Sequence, residues 1–277
     1  MRTELVSIAT DTTPLDGAFY TPDGPVRGAV MLCHGNTMNF YVGAPRFLPP
    51  ALTGLGLACL AFNRRGHDIL GIRDSRAAEG AAFQTNREGI EDNRIAARWL
   101  GERGFGDPVV IGHSNGGMLA ARHVADHPAT PALVLLSAHG GGRQFIDRLA
   151  KRNMLAGDRV GEFLARARDL VAAGRGGDLM LFPHWWYVAT AESFLDRLNN
   201  TPDILELAPR IVCPVLYIRG DREDPELYPA EQFQSRAAGP CDVEIVANCD
   251  HFYVGREASI IERVAAWLAR RLQLNMV

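Results

Sequence analysis

Long apolar runs are missing from this chain, and so is any repeat or low-complexity tract. No stretch is apolar for long enough to span a bilayer, and the opening residues MRTELVSIATD carry no signal-peptide core, so a soluble cytoplasmic protein with no membrane partner is the expectation. Charge of one sign is also lacking. The formal net charge of −3 gives no electrostatic reason to bind nucleic acid. Cysteine is sparse and odd in number: five residues, Cys33, Cys59, Cys213, Cys241 and Cys249, with no CxxC among them. No metal-type spacing is present, and small core residues in a reducing compartment explain the pattern better than a disulfide framework. No GxGxxG opens a dinucleotide site and no histidine–carboxylate spacing resembles a zinc site, so neither cofactor nor metal is expected.

What is present is an ordinary globular composition over 277 residues, 47% hydrophobic and 22% charged, enough for one large core with a modest insertion. Short apolar runs alternate with helical patterns. Ala29–Cys33, Leu57–Phe62, Val109–Ile111, Leu133–Leu136, Val215–Ile218 and Val243–Ala247 read as strands buried on both faces. Residues from about Arg87 to Arg103 and from Ala258 to Leu272 read as amphipathic helices. This alternation predicts an α/β fold with a mostly parallel sheet flanked by helices. From about Gly142 to Leu207 the rhythm breaks. No strand is evident there, while Phe145–Leu155, Val160–Ala172 and Thr190–Leu198 look helical. The expectation is a core of residues 1–141 and 208–277 with a helical cap, 142–207, over the carboxyl edge of the sheet, where ligands of open α/β sheets bind.

The most informative segment is Gly112-His113-Ser114-Asn115-Gly116, between the apolar run Val109-Val110-Ile111 and a helical stretch from Met118 to His127. G-x-S-x-G in a strand–turn–helix context is a nucleophile elbow: a sharp turn lifts the serine hydroxyl clear of the sheet, and a helix N-terminus points at it. With this motif the chain resembles the α/β-hydrolase family, and the resemblance extends over nearly the whole length outside the insertion, with the cap placed after the sixth strand. Three further landmarks follow the family's order. His34-Gly35-Asn36, after the strand ending at Cys33, looks like the turn that supplies an oxyanion-hole donor, which would make the backbone N–H groups of Asn36 and Asn115 the pair of donors, with His34 a structural residue. Asn63-Arg64-Arg65-Gly66-His67-Asp68 resembles a structural loop of the family. His251, between the last strand and the last helix, occupies the position of the family's base. His123, His127 and His184 lack such placement and are expected at the surface or in the cap.

The resemblance also implies an acid. After Leu133–Leu136 come Ser137-Ala138-His139-Gly140, with no carboxylate. After Val215–Ile218 come Gly220-Asp221-Arg222-Glu223-Asp224-Pro225, with three. The family's spacing from the glycine falls on Glu223. Asp224 is the second candidate, needing a turn one residue longer, and Asp221 the third. Taken together these residues imply a serine hydrolase acting on an ester-type bond of a small molecule through a serine–histidine–acid triad. Thioester or C–C bond hydrolysis, acyl transfer, and an inactive ligand-binding role remain open. Phe40 and Tyr41 after the turn, and Trp185 and Trp186 in the insertion, are candidates for binding an apolar or aromatic substrate. Nothing in the sequence bears on oligomeric state.

Overall fold

A computed structural model describes residues 1–73, 76–184 and 187–274. Eight strands form the central sheet: β1 (Arg2–Ile8), β2 (Leu15–Thr21), β3 (Gly28–Cys33), β4 (Leu57–Phe62), β5 (Val109–His113), β6 (Leu133–Leu136), β7 (Val215–Gly220) and β8 (Cys241–Val246). Their order across the sheet is β1-β2-β4-β3-β5-β6-β7-β8. β1 and β2 pair antiparallel with each other, as do β2 and β4, and every pairing from β4 to β8 is parallel.

Alternation along each strand divides the core in two. Met31, Cys33, Leu60, Val110 and Leu135 face one side, where they meet the helices Asn86–Glu102 and Asn115–Asp126. Val30, Leu32, Cys59, Ile111 and Leu136 face the other, against the helix Glu257–Arg271 and its Ile260, Val264 and Trp267. The helix beginning at Asn86 starts where it does because Thr85 and Glu88 form a reciprocal capping box, each side chain taking the other's backbone N–H. Among the described residues no helix is long and apolar enough to cross a membrane, and all five cysteines are free.

The sequence did not announce β1 or β2. β1 is an edge strand exposed over most of its length, so it carries no apolar period, and Asp16 and Gly17 interrupt β2. The chain between β6 and β7 departs from expectation in another way. It holds the helices Phe145–Ala150, Val160–Ala172 and Ala191–Asn200, but also an antiparallel hairpin of Leu179–Phe182 with Tyr187–Thr190. Leu179 and Leu181 lie on the exposed face of that hairpin while Met180 and Phe182 are buried. Apolar residues on both faces erase the alternation that would have marked a strand. The excursion forms a cluster around Ile146, Phe163, Phe182, Tyr187 and Phe194, which Leu227 and Tyr228 from the loop after β7 join. Its two ends meet: Gly141 bridges Asp203, and Gly142 N–H donates to Pro202 O at 3.0 Å.

Burial of histidine is a further departure. His123 is not a surface residue but is buried in the helix Asn115–Asp126, its ring stacked 4.1 Å from that of His127. His127 is half-buried near the end of that helix, its Nδ1 on His123 O, and His184 is exposed. Burial first, then the neighbouring His127, pushes the His123 pKa down to about 4. Burial likewise depresses His113 and His139 to about 3, with the nearby His251 adding to both. An unfolded chain would protonate each of these near pH 6.5, so between that pH and about 3 the unfolded state binds more protons than the folded one. Their stabilising contribution is therefore complete above pH 6.5 and falls away as the pH drops. Urea midpoints measured from pH 7.5 to pH 5 should decline, and His123→Gln, which lacks a titrating ring, should show a shallower decline than the parent chain.

Candidate active site

Strand β5 delivers Ser114 to the carboxyl edge of the sheet. Ser114 has φ 55° and ψ −121°, a strained conformation for a residue with a side chain, and it caps the helix that begins at Asn115. The turn is so tight that a Cβ on Gly112 would stand 2.4 Å from Gly116 O, and one on Gly116 would stand 2.2 Å from His34 O. Only glycine fits at either position.

Two loops from neighbouring strands converge on the serine. The loop after β8 brings His251, whose Nε2 is 3.0 Å from Ser114 Oγ. The loop after β7 brings Glu223, whose Oε1 is 2.7 Å from His251 Nδ1. The second carboxylate oxygen, Oε2, accepts from Gly220 N–H at 2.8 Å and from Ser137 Oγ at 2.6 Å. Glu223 is 7% exposed, so these bonds supply nearly all the solvation its carboxylate receives.

The other two carboxylates of that loop face elsewhere. Asp224 takes the guanidinium of Arg152 and the backbone N–H of Glu226, and the bond from Arg152 holds its carboxyl below the usual range. Asp221 accepts from the backbone N–H of Cys249, and backbone bonds from Asn248 and Cys249 lower its pKa. Neither is in the hydrogen-bond chain to Ser114. The reason is the turn itself: Glu223 N–H reaches back to Gly220 O at 3.3 Å, which closes the loop one residue before Asp224.

Three supporting residues were not picked out by the sequence. His113 is fully enclosed, and its Nε2–H donates to His251 O at 2.8 Å, fixing the histidine loop. It lies two residues after Ile111 in β5, hence on the same buried face, and a polar residue on such a face was the available signal. Ser137, which follows β6 at the place where the family can carry its acid, donates to the Glu223 carboxylate instead. Tyr253 completes the group: its hydroxyl is 2.6 Å from Ser137 Oγ.

On the far side of Ser114 stands the turn Gly35–Met38. A Cβ on Gly35 would lie 3.3 Å from Ser114 Cβ, so this turn touches Ser114. His34 is wholly buried, with Nδ1 donating to Gly35 O at 2.8 Å and Nε2 accepting Arg64 N–H at 3.1 Å. Burial, and next to it the charge of Arg64, keep its pKa well below the ordinary value. His34 is a neutral brace. Asn115 is the first helical residue, and its N–H is one of the donors that an α-helix leaves without an internal acceptor. His67 and Asp68 pair with each other at 2.8 Å, and Asp68 takes the side chain of Asn39 at 3.0 Å, which ties the loop after β4 to the segment beyond the turn.

The aromatic candidates separate. Phe40 packs against the core, with its N–H on Asn63 Oδ1, and Tyr41 is exposed beneath Arg46. Trp185 and Trp186 lie outside the described residues. A cavity of about 490 Å³ lies between the turn and the loop after His251, walled by Met38, Val42, Phe47, Phe252, Tyr253 and Val254, with Arg46 and Glu257 also on its lining. His113, whose ring is 4.8 Å from that of His251, also lines it. Among the described residues no three histidine, cysteine or acidic side chains cluster as metal ligands would.

Residues 30–264 match the model of the alpha/beta hydrolase family. Among solved structures, Est1E from Butyrivibrio proteoclasticus superposes with a TM-score of 0.72 at 16% identity, covering 97% of this chain and 99% of its own. A thermostable carboxyl esterase from Bacillus coagulans superposes with a TM-score of 0.70 at 15% identity, covering 98% and 99%. Dienelactone hydrolase from Anabaena variabilis gives 0.61 at 16% identity, covering 97% of each chain. No curated protein matches the chain in sequence. The family match over most of the length, together with the sheet order and the elbow at Ser114, makes the chain a member of the alpha/beta hydrolase family.

Proposed function

We propose that the protein is a serine hydrolase that cleaves a carboxylic ester of a small apolar or aromatic substrate, with Ser114 as nucleophile, His251 as general base and Glu223 as the acid. The observation that carries this reading is the unbroken chain of hydrogen bonds from Ser114 Oγ through the His251 ring to Glu223. In such a chain Nδ1–H of His251 is committed to Glu223, which leaves Nε2 as the lone pair facing the serine. His251 takes the hydroxyl proton as Oγ attacks the ester carbonyl. The backbone N–H groups of Asn36 and Asn115 hold the oxyanion, and each such donor is worth about 3 kcal/mol to the transition state. The imidazolium then gives its proton to the leaving alcohol. Water, deprotonated by the same nitrogen, attacks the acyl-enzyme and frees the acid.

Residues 142–207 act as a cap in this reading, supported by the meeting of their ends at Gly141 and Asp203 and by the apolar cluster they form with Leu227 and Tyr228 of the loop after β7. Phe145 at the start of the cap stacks 4.2 Å from His139, which stands beside the Asn115 side chain. The cavity beside Met38 and Phe252 receives the apolar part of the ester. Its aliphatic and aromatic walls favour hydrocarbon, and its size suits a short acyl or alkoxy group.

Ser114→Ala should retain its melting temperature and keep less than about a hundredth of the kcat on p-nitrophenyl esters, since losing a triad nucleophile costs far more than that. Glu223→Gln should lose about 10⁴ in kcat, the size of effect seen when a histidine is left in the wrong tautomer without a counter-charge. Asp224→Asn and Asp221→Asn should stay within about tenfold. A severe loss in Asp224→Asn with a mild one in Glu223→Gln would reassign the acid. For the cavity, Val42→Trp should depress kcat/KM for hexanoate and octanoate esters relative to acetate by at least about tenfold, the worth of a methylene or two of lost burial. An unchanged chain-length profile would remove the cavity from substrate binding.

A further inference from the structure

The His251 ring is tethered by two hydrogen bonds, Nδ1 to Glu223 and Nε2 to Ser114 Oγ. Both lie in the plane of the imidazole, and in an acyl-transfer cycle one of them is lost. Once Oγ carries the acyl group it has no proton to share, and only the Glu223 bond remains while the ring releases one proton and collects another from water. Packing must then keep the ring in place. The His251 side chain is 21% exposed, and three aromatic rings stand around it.

These three neighbours differ in how firmly they are set. His113, in β5, lies 4.8 Å away between ring centroids. Phe252 meets the imidazole edge-on at 5.0 Å, but it is 57% exposed and has little behind it. Tyr228 lies 4.9 Å away, its ring tilted by 39° to that of His251. It comes from the loop after β7, the same loop that carries Glu223, and it is half-buried against the apolar cluster of the insertion. The backbone around it is pinned. Tyr228 N–H donates to Asp224 O at 3.0 Å, Ala230 N–H donates to Tyr228 O at 2.9 Å, and Gly140 N–H donates to Leu227 O at 2.8 Å. The hydrogen bonds of the Glu223 carboxylate and the His251 ring go to each other, Gly220, Ser137 and Ser114, and among the described residues none goes to the Tyr228 hydroxyl. What Tyr228 offers His251 is therefore its ring. A ring is flat and rigid, and a positive charge within about 6 Å of its centroid is attracted to it.

We propose that Tyr228 is a positioning residue: its ring, backed by the insertion's apolar cluster, holds the His251 imidazole in line during the part of the cycle in which the bond to Ser114 is absent. This rests on the ester-hydrolase reading above. It adds a stage-specific role for a residue outside the serine–histidine–acid chain, and it links the insertion to the base.

The test compares Tyr228→Phe, which keeps the ring and loses only the hydroxyl, with Tyr228→Leu, which keeps apolar bulk for the cluster and loses the ring. Tyr228→Met, a flexible filler of irregular gaps, is made alongside with the same expectation as the leucine variant. Rates on p-nitrophenyl acetate are expressed per Ser114 titrated to completion with a fluorophosphonate, so misfolded chains do not count. Tyr228→Leu should lose at least about tenfold in kcat, since misplacing a reacting group by an ångström costs up to about a hundredfold. Its kcat/KM, which reports acylation while the Ser114 bond still holds the ring, should stay within about threefold. Slow deacylation should then appear as a burst of p-nitrophenol approaching one equivalent per titrated serine. Tyr228→Phe should stay within about twofold of the parent on both constants. Equal losses in the phenylalanine and leucine variants, a fall in kcat/KM as large as that in kcat, or a parental kcat in Tyr228→Leu and Tyr228→Met would each overturn the proposal while leaving the hydrolase reading intact. A parent chain that neither turns over esters nor is labelled at Ser114 by a fluorophosphonate would overturn the hydrolase reading itself.

Discussion

The hydrogen bond between Glu223 and His251 is the contact on which the arrangement of the site depends. It joins loops from two strands, β7 and β8, and it exists only because those strands run parallel and side by side, so that both loops leave from the same edge. β5 reaches that edge two strands away and places Ser114 under the imidazole. A carboxylate this deeply enclosed needs hydrogen-bond donors in place of water. Gly220 N–H and the Ser137 hydroxyl meet that need on the oxygen that His251 does not use. Ser137 in turn comes from β6, so four consecutive parallel strands each contribute one group to a single hydrogen-bonded chain.

The same enclosure explains why the neighbouring histidines are neutral. His34, His113 and His139 surround the site from three directions, and burial depresses the pKa of all three. A neutral imidazole can offer one donor and one acceptor, which is how His34 grips Gly35 and Arg64 at once.

The fold was legible wherever burial made the sequence simple. Strands β3 to β7 lie between covering helices and read as plain apolar runs, and the elbow carries its glycines because backbone passes within 2.5 Å of where their side chains would be. Legibility failed where one face meets solvent, as in β1, or where exposed Leu179 and Leu181 mask a strand. In the candidate site, chain order pointed to Ser114 and His251, and spacing from Gly220 put Glu223 ahead of Asp224. Ser137, His113 and Tyr253 escaped because they act on loops and side chains remote in sequence, over separations of 86 and 138 residues for the bonds Ser137 makes to Glu223 and His113 makes to His251. Of the aromatic candidates after the turn, Phe40 packs partly buried against the core and Tyr41 is exposed, while the apolar cavity is walled by Met38, Val42 and the residues following His251.

An insertion over an α/β sheet invites description as a hinged lid, and the pattern of its contacts here argues for something stiffer. Its ends are clamped together at Gly141 and Asp203, and the helix Ala191–Asn200 is bonded to the loop ahead of Asn86 at several points. Moving that part as a rigid body would break those bonds together, each at a net cost of about 0.5–1.5 kcal/mol. The segment that begins at Phe145 is differently attached, through a ring stack on His139 that can slide without leaving a polar group unpaired. Sliding is therefore cheaper on the Phe145 side than at the helix Ala191–Asn200.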